Sequence, residues 1–274
     1  MTSVIRERAK VLITVKASPQ PSSSYGDTVC VAGLRLDDEP RWIRLYPVPF
    51  RHLNSDQQFR KYEIVELDVT RRPKDGRPES YNPTLDSIAR VGHLKEWKDR
   101  APLLNPMATD TACGMRRGTT GKPNGKSLGL VRARNVLGLD FAEHPGWSIA
   151  ERRKMERFLT EPDLFGGTDR KTPLLTAPQF KVWFRYECEE DTCGGHRQQI
   201  LDWELTMLQS KYRHSPSSDV RRVVEEKFLD QMCGPDRVPH FYLGNFERAQ
   251  KRQIFSILGV YWPKRVSAEA LSLF

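Results

Sequence analysis

Phe180–Glu204 reads FKVWFRYECEEDTCGGHRQQILDWE, and its first residues declare a strand by period alone. Phe180, Val182, Phe184 and Tyr186 alternate with Lys181, Trp183 and Arg185, as in a strand with one buried face. That strand delivers Cys188. Cys188, Cys193 and His196 follow with spacing C-x4-C-x2-H, and Gly194 and Gly195 give the turn its backbone freedom. Two thiolates and an imidazole supply three of the four ligands of a structural zinc knuckle, and Cys233, just past a later helix, is the predicted fourth, ahead of His214 and His240. The same residues also read as reduced thiols beside a turn, with His196 opening a helix. Leu201, Leu205, Leu208 and Tyr212 form an apolar stripe that predicts this helix. Asp202 and Glu204 lie inside it. With His196 and a metal they would suit a nuclease, but residues two apart on a helix point about 200° away from each other, so local capping and pairing is the simpler role.

A chain of 274 residues has room for two ordinary domains, each with its own core. Charged residues at 29% and hydrophobic ones at 38% describe a globular chain rather than a disordered or membrane one. No apolar run approaches the roughly 20 residues of a membrane helix. The run Val11–Val15 is too short for a secretory signal, which predicts a cytoplasmic protein. Five cysteines, an odd number, fit reduced thiols or a metal site better than a disulfide framework. The net charge of +9 favours DNA or RNA as partner wherever the excess is gathered on one surface.

Outward from the opening stretch, the first half of the chain is rich in strands. Val11–Val15, Thr28–Leu36, Arg41–Tyr46 and Tyr62–Thr70 all alternate or run apolar. In RWIRLY, Ile43 and Leu45 face one way while Trp42, Arg44 and Tyr46 face the other, so one face carries residues that stack on bases and contact phosphate. Directly after the fourth strand the loop RRPKDGRPESY brings Arg71, Arg72, Lys74 and Arg77 together and ends on Tyr81. The competing reading puts Trp42 and Tyr46 in a core, with the arginines as a solvated rim. Cys113–Lys126, CGMRRGTTGKPNGK, runs into Ser127 as Gly-Lys-Ser, but the P-loop glycine five residues before Gly125 is Thr120. A nucleoside-triphosphatase is therefore excluded and the segment reads as a mobile basic loop. Ser148 and Glu151 make a capping box, Ser217 to Asp219 can cap a further helix, and HFYLGNF and RQIFSILGVYWP read as closing strands.

The pattern C-x-A-G at Cys30–Gly33, W-I-R-x-Y-P-V at Trp42–Val48 and Y-E-I-V-E-L at Tyr62–Leu67, with SLGLVRARNV at Ser127–Val136, resembles the bacterial dual OB-containing domain proteins. It covers about the first half of the chain. The resemblance implies OB-like barrels and a nucleic-acid or nucleotide-binding role in bacterial genome or antiviral defence, and brings no catalytic residues with it.

The expected fold is α+β: a β-rich OB-like domain over residues 1–140, a helical linker region over 141–178, and a smaller α+β domain with the Cys/His knuckle over 179–274. The expected function is nucleic-acid binding through Trp42, Arg44, Tyr46, Arg71, Arg72 and Arg77, with zinc on Cys188, Cys193, His196 and Cys233. Two alternatives stand beside it: a metal-dependent nuclease or base-processing enzyme, and a non-catalytic subunit that docks a protein partner in a larger complex.

Overall fold

The computed structural model describes residues 5–120, 122, 125–160 and 172–265. Strands come first: β1 (Arg6–Lys16), β2 (Gln20–Ser22), β3 (Gly26–Arg35), β4 (Arg41–Val48), β5 (Glu63–Arg71), β6 (Ser80–Pro83) and β7 (Ala89–His93), followed by the short helices α1 (Trp97–Leu104) and α2 (Ala112–Thr119). The second half runs β8 (Leu128–Glu143), α3 (Ile149–Thr160), β9 (Phe180–Cys188), β10 (His196–Gln199), α4 (Trp203–Lys211), α5 (Ser217–Glu225), a π-helical turn (Glu226–Gln231), β11 (His240–Asn245) and β12 (Phe255–Tyr261).

In the first half the order is β1-β3-β4-β6-β5, and pairing of β5 with β1 closes the ring, leaving no free edge on those five strands. All pairs are antiparallel except β4 with β6. Numbered along the chain, the barrel strands run first-second-third-fifth-fourth, a Greek-key barrel of OB type. Alternation sends Val11, Ile13, Ile43, Leu45, Val65, Leu67 and Val69 inward, where Phe50, Leu53 and Phe59 from the β4–β5 connection join them. Gly33, the glycine of C-x-A-G, has its reason here: a Cβ on it would lie 2.2 Å from the Leu12 carbonyl oxygen.

The second sheet has the order β10-β9-β8-β11-β12, with every named pair antiparallel. A parallel bridge between Ile200 and Ile257, with the Leu201 N–H donating to the Ile257 carbonyl at 2.7 Å, then joins the end of β10 to β12. The ring of pairings is thus again first-second-third-fifth-fourth, with a parallel contact between third and fifth. The α+β expectation holds, and the C-terminal unit repeats the topology of the first. Its helices α4 and α5 and the π-helical turn fill the connection between its third and fourth strands, burying Leu205, Val220, Val224 and Phe228 against Phe184, Tyr186 and Phe241. Residues 128–140, grouped with the first domain on sequence, run in β8 at the centre of this second sheet. Of the expected linker, α3 carries the Ser148–Glu151 capping box, and residues 161–171 lie outside the described part.

Two local expectations are corrected. No helix starts at His196: residues 196–199 pair with Tyr186–Trp183 as β10, and the helix opens at Trp203 once the Asp202 carboxylate accepts the Glu204 N–H at 2.8 Å. Cys113–Thr119 is helical rather than a loop, because the Thr111 hydroxyl caps α2 by accepting the Gly114 N–H at 2.9 Å and Ala112, Met115 and Thr119 are buried. Gly121, Pro123 and Asn124 of that stretch lie outside the described residues.

A third core lies between the barrels. Leu12, Ala32, Leu34 and Trp42 on the outer face of β1, β3 and β4 pack against Leu128, Leu130, Tyr242, Leu258 and Tyr261 on the outer face of β8, β11 and β12. Both units thus depend on one shared apolar layer. Leu130→Ala, which empties a fully buried site there, is expected to lower stability by about 2–5 kcal/mol. Denaturant unfolding checks this, and a midpoint unchanged from the wild type would show that the layer is dispensable.

Candidate metal centre and inter-barrel face

The strand pattern of β9 places Cys188 at its buried end, the turn returns through Cys193, and Gly195, at φ +91°, lets the chain re-enter as β10 at His196. The fourth group is Cys113, one residue into α2. One ligand atom from each of Cys113, Cys188, Cys193 and His196 lies within 4.8 Å of all the others, and Cys113 Sγ is 3.4 Å from His196 Nε2. This group could hold a metal ion. Cys233 is not part of it: that thiol sits in the partly buried margin of the second core, and burial pushes it up to about 12. His214 is outside the group too, and His240 is buried with its Nδ1–H donating to the Val238 carbonyl.

The electrostatics of the cluster suit a cation. Burial together with Cys188 and Cys193 pushes the Cys113 thiol up to about 12. Burial opposes ionisation of Cys188 as well, yet the N–H groups of Cys113 and Glu190 overcome it and lower that thiol. Burial, helped by Arg116, lowers His196 and keeps it in the neutral, ligating form. Three thiolates at this spacing repel one another unless a cation lies among them. Outside the ligands, Glu190 accepts both Arg117 guanidinium bonds, at 2.6 and 2.8 Å, and the Thr111 hydroxyl at 3.1 Å, which pins α2 to the turn carrying Cys193.

Asp202 and Glu204 do not join His196. Asp202 is buried where the chain pairs with Ala17, and burial with the neighbouring Glu204 pushes its carboxyl up to about 7. Glu204 faces Lys61 at 3.8 Å. Among the described residues the only metal-capable grouping holds three cysteines and one histidine, with no carboxylate.

The six residues expected to meet nucleic acid divide sharply. Alternation does turn Trp42, Arg44 and Tyr46 outward from the first barrel, but that face is where the second barrel docks. Trp42 is 8% exposed and meets Tyr242 edge to face at 6.2 Å. Arg44 is 2% exposed and donates from Nη2 to the Ser127 carbonyl at 3.0 Å, while Ser127 gives its N–H and hydroxyl to the Glu79 carboxylate at 2.9 and 2.8 Å. Arg77 is also buried, forked on Asp75 and donating to the Asn245 carbonyl at 2.8 Å; burial resists Asp75 ionisation, but the Arg77 bonds prevail and hold its carboxyl at about 2. Tyr46, Arg71 and Arg72 keep contact with solvent. Arg72 lies over the Tyr46 ring at 4.9 Å and bonds Glu247 at 3.2 Å, and Arg71 lies over Tyr81 at 4.9 Å. Lys74, Arg248 and Lys251 are exposed on the same two loops, Arg72–Glu79 and Phe246–Ile254. The second of these escaped the sequence reading because its neighbour in space lies some 170 positions away in the chain.

The fold and cluster define a two-barrel protein with one thiol and imidazole centre. Two family models match it: Domain of unknown function (DUF8758) over residues 7–106 and Domain of unknown function (DUF8757) over residues 108–274. The second spans more than half of the chain, which therefore belongs to the DUF8757 family. No curated protein matches the chain. Among solved structures, a chain of a replication protein A heterotrimer bound to ssDNA aligns over 100% of this chain and 69% of its own, with 9% identity and a TM-score of 0.27, a likeness too slight to bear on function. No helix among the described residues is long and apolar enough to cross a membrane.

The geometry separates the two cysteines cleanly. Elemental analysis of purified protein is expected to find bound metal in the wild type and in Cys233→Ser, and a loss in Cys113→Ser. Metal retained in Cys113→Ser, or lost in Cys233→Ser, would contradict this assignment.

Proposed function

We propose that the chain is a DNA- or RNA-binding protein that takes single strands along the rim between its barrels, with a structural zinc ion in the second one. The observation that carries this reading is the loop Arg72–Glu79. It joins the fourth and fifth strands of an OB-type barrel, a position that in such barrels contacts oligonucleotides. Here it is pinned by Asp75 and Arg77 and sets Arg72 over the Tyr46 ring, with Lys74 exposed on the loop and Arg71, just before it at the end of β5, over the Tyr81 ring. Cations on phosphate and aromatic faces on bases are the two elements of single-strand binding. The net charge of +9 agrees.

Zinc fits the donor set. Tetrahedral bonds of about 2.0–2.3 Å to thiolate and imidazole bring ligand atoms within roughly 4 Å of one another, close to the spacing seen. Four protein ligands leave no open position for a water molecule, so the centre is a staple that ties α2 to the β9–β10 hairpin rather than a nuclease site. The repeated barrel topology agrees with the resemblance to dual OB-containing domain proteins, which would itself imply a place in bacterial genome defence.

Fluorescence anisotropy with labelled single-stranded DNA, double-stranded DNA and RNA over a salt series tests the reading. Affinity for a single strand is expected to fall steeply with salt, and Arg71→Glu with Arg72→Glu to weaken it about tenfold or more while flattening the slope by about 1–2. Absence of binding to all three at low salt would overturn it.

A further inference from the structure

The second barrel covers most of the ligand face of the first, but a cavity of about 230 Å³ remains on the seam, against Thr28, Arg44 and Tyr46 of β3 and β4 and Asn245 and Phe246 at the end of β11. Its wall is polar and aromatic at once. Phe246 is 38% exposed, while Tyr46 carries Arg72 over its ring.

Two side chains in that wall are fixed yet incompletely bonded. Arg44 spends Nη2 on Ser127 and points Nη1 at Cys30 Sγ at 3.1 Å, and its Nε–H has no partner. Asn245, 5% exposed, gives its Nδ2 to the Arg252 carbonyl at 2.9 Å, and its Oδ1 has no partner. Both residues line the cavity, an unpaired buried donor or acceptor is costly, and a ligand edge offering an acceptor and a donor would relieve both. Every nucleobase carries such a pair on its Watson–Crick edge. Both atoms are closed to solvent and stand just behind the cavity surface. The volume lies below the roughly 300 Å³ at which drug-sized ligand pockets begin, which suits one base and excludes two.

We propose that this cavity receives a single unpaired nucleobase, stacked on Phe246, with a small shift of the wall bringing its edge onto Arg44 Nε and Asn245 Oδ1. This deepens the single-strand reading above and rests on it: the basic rim holds the strand, and the cavity takes one base from it.

The test uses a 12-nucleotide single strand with 2-aminopurine at one position, compared with the same strand abasic there, and 2-aminopurine riboside monophosphate alone. On the wild type the fluorescent strand is expected to be quenched on binding, and the abasic strand to bind about tenfold more weakly, the size of one base–aromatic stack. Phe246→Ala, at an exposed site that leaves the fold intact, is expected to abolish both the quenching and the abasic penalty while keeping the salt slope; Asn245→Ala is expected to act likewise where its melting temperature is unchanged. Strand binding with a normal salt slope but no quenching, no abasic penalty and no effect of Phe246→Ala would overturn the cavity proposal and leave the strand reading standing. Quenching of the monophosphate without any strand binding would keep the cavity, with a free nucleotide as its source, and reject the strand. No signal from either probe would overturn both.

Discussion

The structure depends on burial of the outward face of β1, β3 and β4. In an open barrel of this type that face meets solvent or ligand; here Leu12, Leu34 and Trp42 are sealed beneath Leu130, Tyr242 and Leu258. Apolar area supplies the energy, and Arg44 fixes the register. Its guanidinium cannot be desolvated alone, so Ser127 accepts from it and in turn donates to Glu79 from the loop that precedes β6. Removing any one of the three would leave a buried polar group without its partner.

That arrangement determines where ligand chemistry can occur. With the face covered, what remains of the first barrel is its rim: the loop around Asp75 and Arg77, the ring of Tyr46 and the seam cavity. The second barrel contributes the loop after β11, so the candidate interface belongs to neither unit alone. Asp75 joins the two, since it holds Arg77, which donates to Asn245, and lies 3.7 Å from Arg252. The thiol and imidazole cluster is built from a different set of elements, α2, the end of β9 and the start of β10, and none of its residues lines the seam cavity. With a metal bound, it would tie α2 to the β9–β10 hairpin.

Much of the fold was legible because period-2 alternation survives wherever one face of a strand is buried, as in β5 and β9. The repeat was not. The third strand of the second barrel, β10, is only four residues, His196–Gln199, and all four are polar, so no hydrophobic pattern announces it. Three cluster ligands were legible from their spacing within nine residues of one turn. Cys113 was not, because its stretch is rich in glycine and arginine and reads as a loop; Thr111 ahead of Ala112 and Met115 was the cap signal that could have revealed α2. For Trp42 and Arg44 the sequence told which way the side chains point, and only the docked barrel tells what they point at. An outward face and an exposed face look alike until the partner surface is known.

Hydrogen–deuterium exchange with and without a bound single-stranded oligonucleotide reads whether both barrels form one interface around a covered face. Added protection is expected in three segments, residues 17–22, 71–79 and 245–252, drawn from both barrels, with β4 residues 42–44 equally protected in the free and bound states. Protection gained along β4, or confined to one barrel, would show that the face opens to ligand or that the second barrel takes no part, and would contradict the account.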